Sequence, residues 1–173
     1  MRAFLVFILL SLQVFASANT SPKIALIQYD ADKNFAQYQV NVMALTQKTL
    51  DAISQNAKMI VFPEGSLYGY ASTDRSRFWC ADNYAVGCTD VNGAAENVPS
   101  GPSTQHWQQI SKQHQVYILF NLPEAAPVEG FFNTTVIVGP DGYVGRYRKR
   151  ALYQTDQYYA RPGKADFVLK TQY

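Results

Sequence analysis

The chain has 173 residues, of which 47% are hydrophobic and 16% charged, with a formal net charge of +2. This length is typical of one domain, and the near balance of charge argues against a nucleic-acid-binding surface. The short basic cluster at residues 146–150 lies beside a predicted turn and not along a helix face. We therefore expect neither nucleic acid nor a charged membrane surface as a partner.

The N-terminal segment has the composition of a secretory signal peptide. Arg2 gives it a positive start, residues 3–14 are almost wholly apolar, and the sequence ASA at residues 16–18 has the form of a cleavage site. An uncleaved membrane anchor is the alternative, but the apolar run is short for a bilayer. We expect residues 1–18 to be removed, residues 19–173 to form one soluble domain, and the protein to be extracellular or periplasmic.

Strand and helix patterns alternate at the start of this domain. The apolar run at residues 23–29 predicts a buried strand, and apolar positions recur every three or four residues over 35–53, which predicts an amphipathic helix. Asn34 is the predicted N-cap of that helix. Residues 59–62 predict a second strand, which Pro63 ends because proline has no N–H to donate.

Both cysteines lie in the long irregular stretch at residues 70–103. Cys80 and Cys88 are close in sequence within a loop rich in Asn, Asp and Gly, and in an oxidising compartment this predicts a disulfide. Neither His106 nor His114 has metal-ligand spacing relative to this loop, so we predict no metal and no cofactor. A thiol hydrolase that uses Cys80 with His106 or His114 is an alternative that requires a free thiol.

The second half of the chain continues the alternation of helix and strand. Its predicted elements are a helix capped by Ser103 or Thr104, a strand at residues 116–122, hairpin strands at 131–138 and 143–147, and a last strand at 166–173. The order of elements predicts an α/β fold, with a mixed sheet and helices on one face.

Glu64 and Lys149 are the candidates for catalysis by residue type. Hydrolysis of an amide through a covalent intermediate needs a nucleophile, a base and a donor for the developing oxyanion. Glu64, just past a strand, is suited to be the base, and the Lys149 ammonium is suited to be the donor. Neither is a good nucleophile, and no cysteine follows Cys88. Solvated surface positions are the alternative for both residues.

Several motifs, taken in order, resemble those of the nitrilase superfamily of carbon–nitrogen hydrolases. They are KIALIQ at residues 23–28, PE at 63–64, YGY at 68–70, FNT at 132–134 and GRYRK at 145–149. The resemblance implies an α-β-β-α sandwich and a Glu-Lys-Cys triad that works through a thioester. It assigns the base to Glu64 and the oxyanion donor to Lys149. It also implies that the cysteine lies beyond residue 173, so that this amino-terminal portion is inactive alone.

Within the superfamily, the leader, the cysteine loop and RKRALY at residues 148–153 look most like the secreted vanin and biotinidase branch. That branch cleaves amides of pantetheine or biotin, so the resemblance implies a small-molecule amide substrate. Family members commonly form dimers, so the resemblance also makes a homodimer a candidate arrangement for this protein. Relatives carry a second glutamate beyond the lysine, and Asp156, with a shorter side chain, is the carboxylate available here.

Other residues are candidates for the walls and the surface of the domain. Tyr68 and Tyr70 are candidates for substrate binding beside the base, whereas Phe78 and Trp79 either wall a pocket or pack in the ordinary way. Asn133 begins an Asn-Thr-Thr sequon, which predicts glycosylation, with a structural role in the hairpin as the alternative. A non-catalytic secreted binding protein that retains the fold is the rival to an enzyme.

Overall fold

A mixed five-stranded sheet forms the centre of the computed structural model, which describes residues 21–69, 74–81 and 87–173. The predicted signal segment, residues 1–18, lies outside this part. The helices and strands are β1 (Lys23–Leu26), α1 (Tyr38–Ser54), β2 (Ala57–Val61), β3 (Trp79–Cys80), β4 (Thr89–Asp90), α2 (Pro102–His114), β5 (Tyr117–Ala126), β6 (Gly130–Gly139) and β7 (Gly142–Arg148). The predicted α/β class is confirmed.

The strand order of the sheet is β1-β2-β5-β6-β7, and its first three strands are parallel. Helices α1 and α2 lie in the crossover connections that parallel strands require. The last three strands are antiparallel neighbours, and β6 and β7 form the predicted hairpin, with Gly142 at φ +119° in its turn. Because β7 runs in the same direction as β2 and β5, their carboxyl ends meet at one edge of the sheet.

Both helices pack on one face of the sheet and share a single core with it. The strand residues Ile60, Ile118 and Val138 are register neighbours, and all are fully buried in this core. From the helices, Leu45 and Trp107 contribute side chains with no exposure to solvent. Burial of large side chains on one face is the main source of stability for such a layer. Among the described residues, neither helix has the length and apolar content needed to cross a membrane.

The start of α1 differs from its prediction. The helix begins at Tyr38, and Gln37 occupies the N-cap without a side-chain hydrogen bond. Asn34 instead ends a short 3-10 turn, and its amide donates to the Tyr29 hydroxyl at 3.3 Å. The prediction of Asn34 as the cap was wrong because the helix begins only at Tyr38, and the Asn34 side chain binds a residue of the preceding loop.

Helix α2 begins at Pro102, with Gly101 at the N-cap, so Ser103 and Thr104 lie inside the first turn and cap nothing. The cap is supplied by Glu96, a carboxylate that is only 6% exposed. It accepts from the Ser103 N–H at 2.8 Å and from the Ser103 hydroxyl at 2.5 Å. A carboxylate at this position also interacts favourably with the helix dipole.

The two ends of the described chain also differ from their predictions. Strand β1 is not buried, because within the described ranges it lies at the edge of the sheet and pairs with β2 alone; Ile24 is 54% exposed and Leu26 is 71% exposed. Residues 166–173 form no strand. They contact the sheet through side chains, since the Phe167 ring lies against Gly145 with no space for a Cβ atom.

A buried ion-pair cluster fixes the end of β7. Glu124 is 1% exposed, and its carboxylate lies 2.9 Å from Arg146 and 2.7 Å from Arg148. It also accepts a hydrogen bond from the Thr134 hydroxyl at 2.7 Å. Arg148 pairs in addition with the exposed carboxylate of Glu129 at 2.8 Å. These contacts hold the last residue of β7 in place.

We expect Glu124→Gln to lower the free energy of unfolding by about 3 kcal/mol, because it leaves the partly buried Arg148 without its main counter-charge. Urea unfolding followed by circular dichroism measures this loss. Glu129→Gln is the matched control, since the Glu129 side chain is 56% exposed and its loss should cost about 0.5 kcal/mol. Equal losses in the two variants would contradict the expectation.

Candidate active site

The two residues with predicted catalytic roles, 85 positions apart in sequence, meet at the carboxyl edge of the sheet. Glu64 follows β2, and Lys149 follows β7. The Lys149 ammonium nitrogen lies 2.7 Å from Glu64 Oε1 and 2.8 Å from Asp156 Oδ2. The site thus contains one cation between two carboxylates, and Asp156 is the residue that begins a 3-10 turn.

Asn133 lies at the centre of this charge cluster. Its side-chain nitrogen donates to Glu64 Oε1 at 2.6 Å and to Asp156 Oδ1 at 2.9 Å. The backbone carbonyl oxygen of Asn133 accepts a hydrogen bond from the backbone N–H of Lys149 at 2.8 Å. The residue is 4% exposed, so the folded protein has no space for a glycan on its amide nitrogen. Burial contradicts the predicted glycosylation of Asn133 and favours the structural alternative.

The hydrogen bonds around Lys149 keep it charged. Burial by itself would lower the pKa of Lys149, but hydrogen bonds to Asp156 and Glu64 outweigh it, and the pKa is raised. Asp156 is 7% exposed and also accepts from the Tyr153 N–H at 2.9 Å. A protonated Lys149 screens the repulsion between the two carboxylates.

A small cavity of about 20 Å³ adjoins the Glu64 carboxylate, with room for about one water molecule. Its walls include Tyr68, Phe78, Trp79 and Tyr159. The Tyr68 ring lines this cavity, while its hydroxyl donates to Glu96 at 2.8 Å; burial and the nearby carboxylate raise the pKa of Tyr68.

The aromatic side chains differ in what they offer to a ligand. Because Glu96 binds its hydroxyl, Tyr68 presents ring surface to the cavity. Trp79 is 6% exposed and donates its indole N–H to the Gly69 carbonyl at 2.7 Å, so it too presents ring surface. Tyr70, the other predicted substrate-binding residue, lies outside the described residues.

Cys80 and Cys88 form the predicted disulfide. The alternative thiol hydrolase required a free Cys80, and the structure therefore contradicts it. His106 lies 3.0 Å from the Thr46 hydroxyl, between the two helices, and His114 lies in the last turn of α2. In the described ranges, no three His, Cys, Asp or Glu side chains are placed to hold a metal ion.

Sequence reasoning missed Asn121, a site residue on β5. Its Oδ1 accepts from the N–H of Gly65, next to the predicted base, at 2.8 Å. The available signal was an asparagine inside the otherwise apolar run ILFNL at residues 118–122. A polar side chain in such a run is buried and needs hydrogen-bond partners, which commonly come from a site.

Comparisons with known proteins establish the family. Residues 23–172 match the family described as carbon-nitrogen hydrolase, so this chain belongs to that family. It is 25% identical over 150 residues to a nitrilase of Pyrococcus abyssi, covering 84% of this chain and 49% of the nitrilase. It is 29% identical over 116 residues to the protein N-terminal amidase of Schizosaccharomyces pombe, covering 64% of this chain and 36% of the amidase.

More distant similarities agree with this assignment. Human pantetheine hydrolase VNN2 is 27% identical over 154 residues, covering 74% of this chain and 27% of the hydrolase. The solved structure of Saccharomyces cerevisiae Nit3, a member of the nitrilase superfamily, has a TM-score of 0.68 at 18% identity, covering 88% of this chain and 52% of Nit3. An N-terminal amidase structure has a TM-score of 0.64 at 23% identity, covering 82% of this chain and 31% of the amidase. At these identities the structures show a shared fold, and the chain spans about half or less of the relatives it matches.

The raised pKa of Lys149 predicts a loss of stability in alkali. A raised folded-state pKa gives a contribution that is fully present below the ordinary lysine value of about 10.4 and is lost as the pH rises through the folded value. We therefore expect Lys149→Met to destabilise the protein near neutral pH, and the difference from wild type to shrink above about pH 10.4.

Denaturant unfolding of both proteins across the alkaline range measures this difference, since the titration of other groups cancels. Lys33→Met is the control, because it removes the same charge from a side chain that is 81% exposed. A difference for Lys149→Met that stays constant into strong alkali would contradict the expectation.

Proposed function

We propose that this chain supplies the base and the oxyanion donor of an amidohydrolase that cleaves a non-peptide carbon–nitrogen bond. The observation that carries the proposal is the 2.7 Å contact between the Lys149 ammonium and Glu64 Oε1 at the carboxyl edge of the sheet. Two buried residues, Asn133 and Asp156, also bind this pair, which distinguishes it from an isolated surface ion pair. Membership of the carbon–nitrogen hydrolase family supports the same chemistry.

Glu64 has one oxygen held by the protein and one available for proton transfer. Oε1 accepts hydrogen bonds from Lys149 at 2.7 Å and from Asn133 at 2.6 Å. Within the part of the chain that the structure describes, Oε2 accepts none. In our proposal, Oε2 takes the proton of the nucleophile, while the two donors on Oε1 keep the carboxylate in one orientation.

Lys149 has a donor left for the substrate. An ammonium group has three N–H bonds, and the contacts with Glu64 and Asp156 use two of them. In our proposal the third donates to the oxygen that becomes negative when the amide carbon is attacked. Such a donor, held in place before the reaction, stabilises the transition state more than the ground state.

The proposed nucleophile is a cysteine that follows residue 173. Its thiol passes a proton to Glu64 as the sulfur attacks the amide carbon, and the amine then leaves with that proton. The resulting thioester is hydrolysed by water, which Glu64 deprotonates in turn. In this scheme Asp156 takes the role of the second glutamate of relatives and is the second carboxylate that holds Lys149.

We further propose that the protein is secreted and acts on a small-molecule amide. The signal-like residues 1–18 support secretion, and the disulfide does so too because such bonds persist in oxidising compartments. The similarity to human pantetheine hydrolase VNN2 supports the vanin-like branch. Four aromatic side chains stand among the polar residues beside Glu64, and their rings suit contact with an apolar portion of a substrate.

Glu64→Gln should lower kcat for amide hydrolysis by about 10³-fold, the loss expected when a general base is removed. Lys149→Met should lower it by about 10²-fold or more through loss of the oxyanion donor. The assay uses protein expressed from the complete natural transcript, with a panel of small amides including pantetheine. Glu129→Gln and Lys33→Met are matched controls with unchanged rates; full activity in Glu64→Gln would refute the base role.

The 173-residue chain by itself should hydrolyse none of these amides, because the described part contains no free thiol. Reading the natural transcript past the codon for Tyr173 should reveal an in-frame cysteine on an apolar strand. A stop codon at that point would favour the rival function, a secreted binding protein that retains the fold. Turnover by the isolated chain would require a nucleophile other than the proposed cysteine.

A further inference from the structure

Asn121 connects segments on both sides of the proposed base. It is 8% exposed. Its Oδ1 accepts from the Gly65 N–H at 2.8 Å, and its Nδ2 donates to the Thr134 carbonyl at 3.1 Å and to Asn133 Oδ1 at 2.8 Å. Both amide hydrogens and the amide oxygen therefore have protein partners, and these partners lie on three different segments of the site.

Two backbone groups determine the orientation of the Asn121 amide. A backbone N–H can only donate and a backbone carbonyl can only accept, so Gly65 requires Oδ1 and Thr134 requires Nδ2. The opposite orientation would place two donors together at Gly65 and two acceptors together at Thr134. The remaining hydrogen of Nδ2 then points to Asn133.

The orientation of Asn121 in turn determines that of Asn133. Because Asn121 donates to it, Asn133 presents Oδ1 to that donor and Nδ2 to the two carboxylates. If Asn133 turned over, a carbonyl oxygen would face both Glu64 and Asp156. A buried arrangement of like polarity is costly, since the groups lose water without gaining partners.

We propose that Asn121 is a positioning residue for Glu64, a role that rests on the base function proposed above. It acts by two routes. Through Asn133 it ensures that a donor faces Glu64 Oε1, and through the N–H of Gly65 it holds the backbone directly after the base. The backbone groups that fix the orientation of Asn121 thereby also fix which group of Asn133 faces the carboxylate that receives the proton.

The hydrogen bonds that lead from Asn121 through Asn133 to Glu64 are called the relay below. Asn121→Asp tests this relay because it keeps the size of the side chain and the acceptor for Gly65. It replaces only the donor that faces Asn133 and Thr134. Asn133 should then turn over and present its oxygen to Glu64, which lowers the melting temperature. Adding Glu64→Gln supplies an NH₂ donor for that oxygen. Lys149 then loses its acceptor at Oε1 and keeps the one on Asp156. The double variant should melt about 3 °C or more above the additive value.

Glu64→Ala is the matched control for charge. It removes the same carboxylate but offers no donor, so with Asn121→Asp it reports only relief of repulsion. Each double variant is compared with its two single variants in a double-mutant cycle. The cycle with Glu64→Gln should show a larger rise in melting temperature above the additive value than the cycle with Glu64→Ala. Both are measured by thermal unfolding at about pH 8. If Asn121→Asp alone does not fold, the double variant with Glu64→Gln should fold and the one with Glu64→Ala should not.

Equal rescue in the two cycles, or a double variant with Glu64→Gln that still fails to fold, would overturn the relay. The measurement uses no hydrolysis, so its failure is distinct from failure of the proposed function. Normal turnover by Glu64→Gln in the assay above would remove the base role, while a larger Gln rescue would still establish the relay between Asn121 and Glu64.

Discussion

The ammonium of Lys149 lies between the carboxylates of Glu64 and Asp156, and the site depends on this arrangement. Two carboxylates in one small site repel each other, and a cation between them offsets that repulsion. Hydrogen bonds to the carboxylates raise the pKa of Lys149 in spite of its burial, so the cation is maintained. The same charge that stabilises the folded site is the charge a developing oxyanion requires.

The direction of the strands makes this meeting of charges possible. Parallel crossovers bring the ends of β2 and β5 to one edge, and the hairpin returns β7 to the same edge. Behind the edge, the buried carboxylate of Glu124 fixes Arg148, the residue before Lys149. Asn121 and Asn133 satisfy their hydrogen bonds within the site, so its polar groups are ordered before any substrate arrives.

Local sequence patterns predicted helices and strands well where the element packs on a single face, because that packing leaves a regular apolar spacing. The helix pattern over residues 35–53 matches α1 except in its first three residues, and the hairpin turn at 140–142 is present as predicted. Predictions failed where a distant partner decided the outcome. The sequon at Asn133, for example, lies buried against the carboxylates of Glu64 and Asp156. A pattern of a few residues does not specify which distant part of the chain packs against it.

The sequence by itself determined the α/β class, most of the helices and strands, the disulfide and the residue types of the proposed chemistry, because these follow from composition and short-range spacing. Only the tertiary structure decided which charges meet: that Asp156 reaches Lys149, that Asn133 bridges both carboxylates, and that Asn121 orients Asn133. The physical reason is that hydrogen bonds and ion pairs act over about 3 Å. Contacts at that range depend on strand register and on turns that no local pattern specifies.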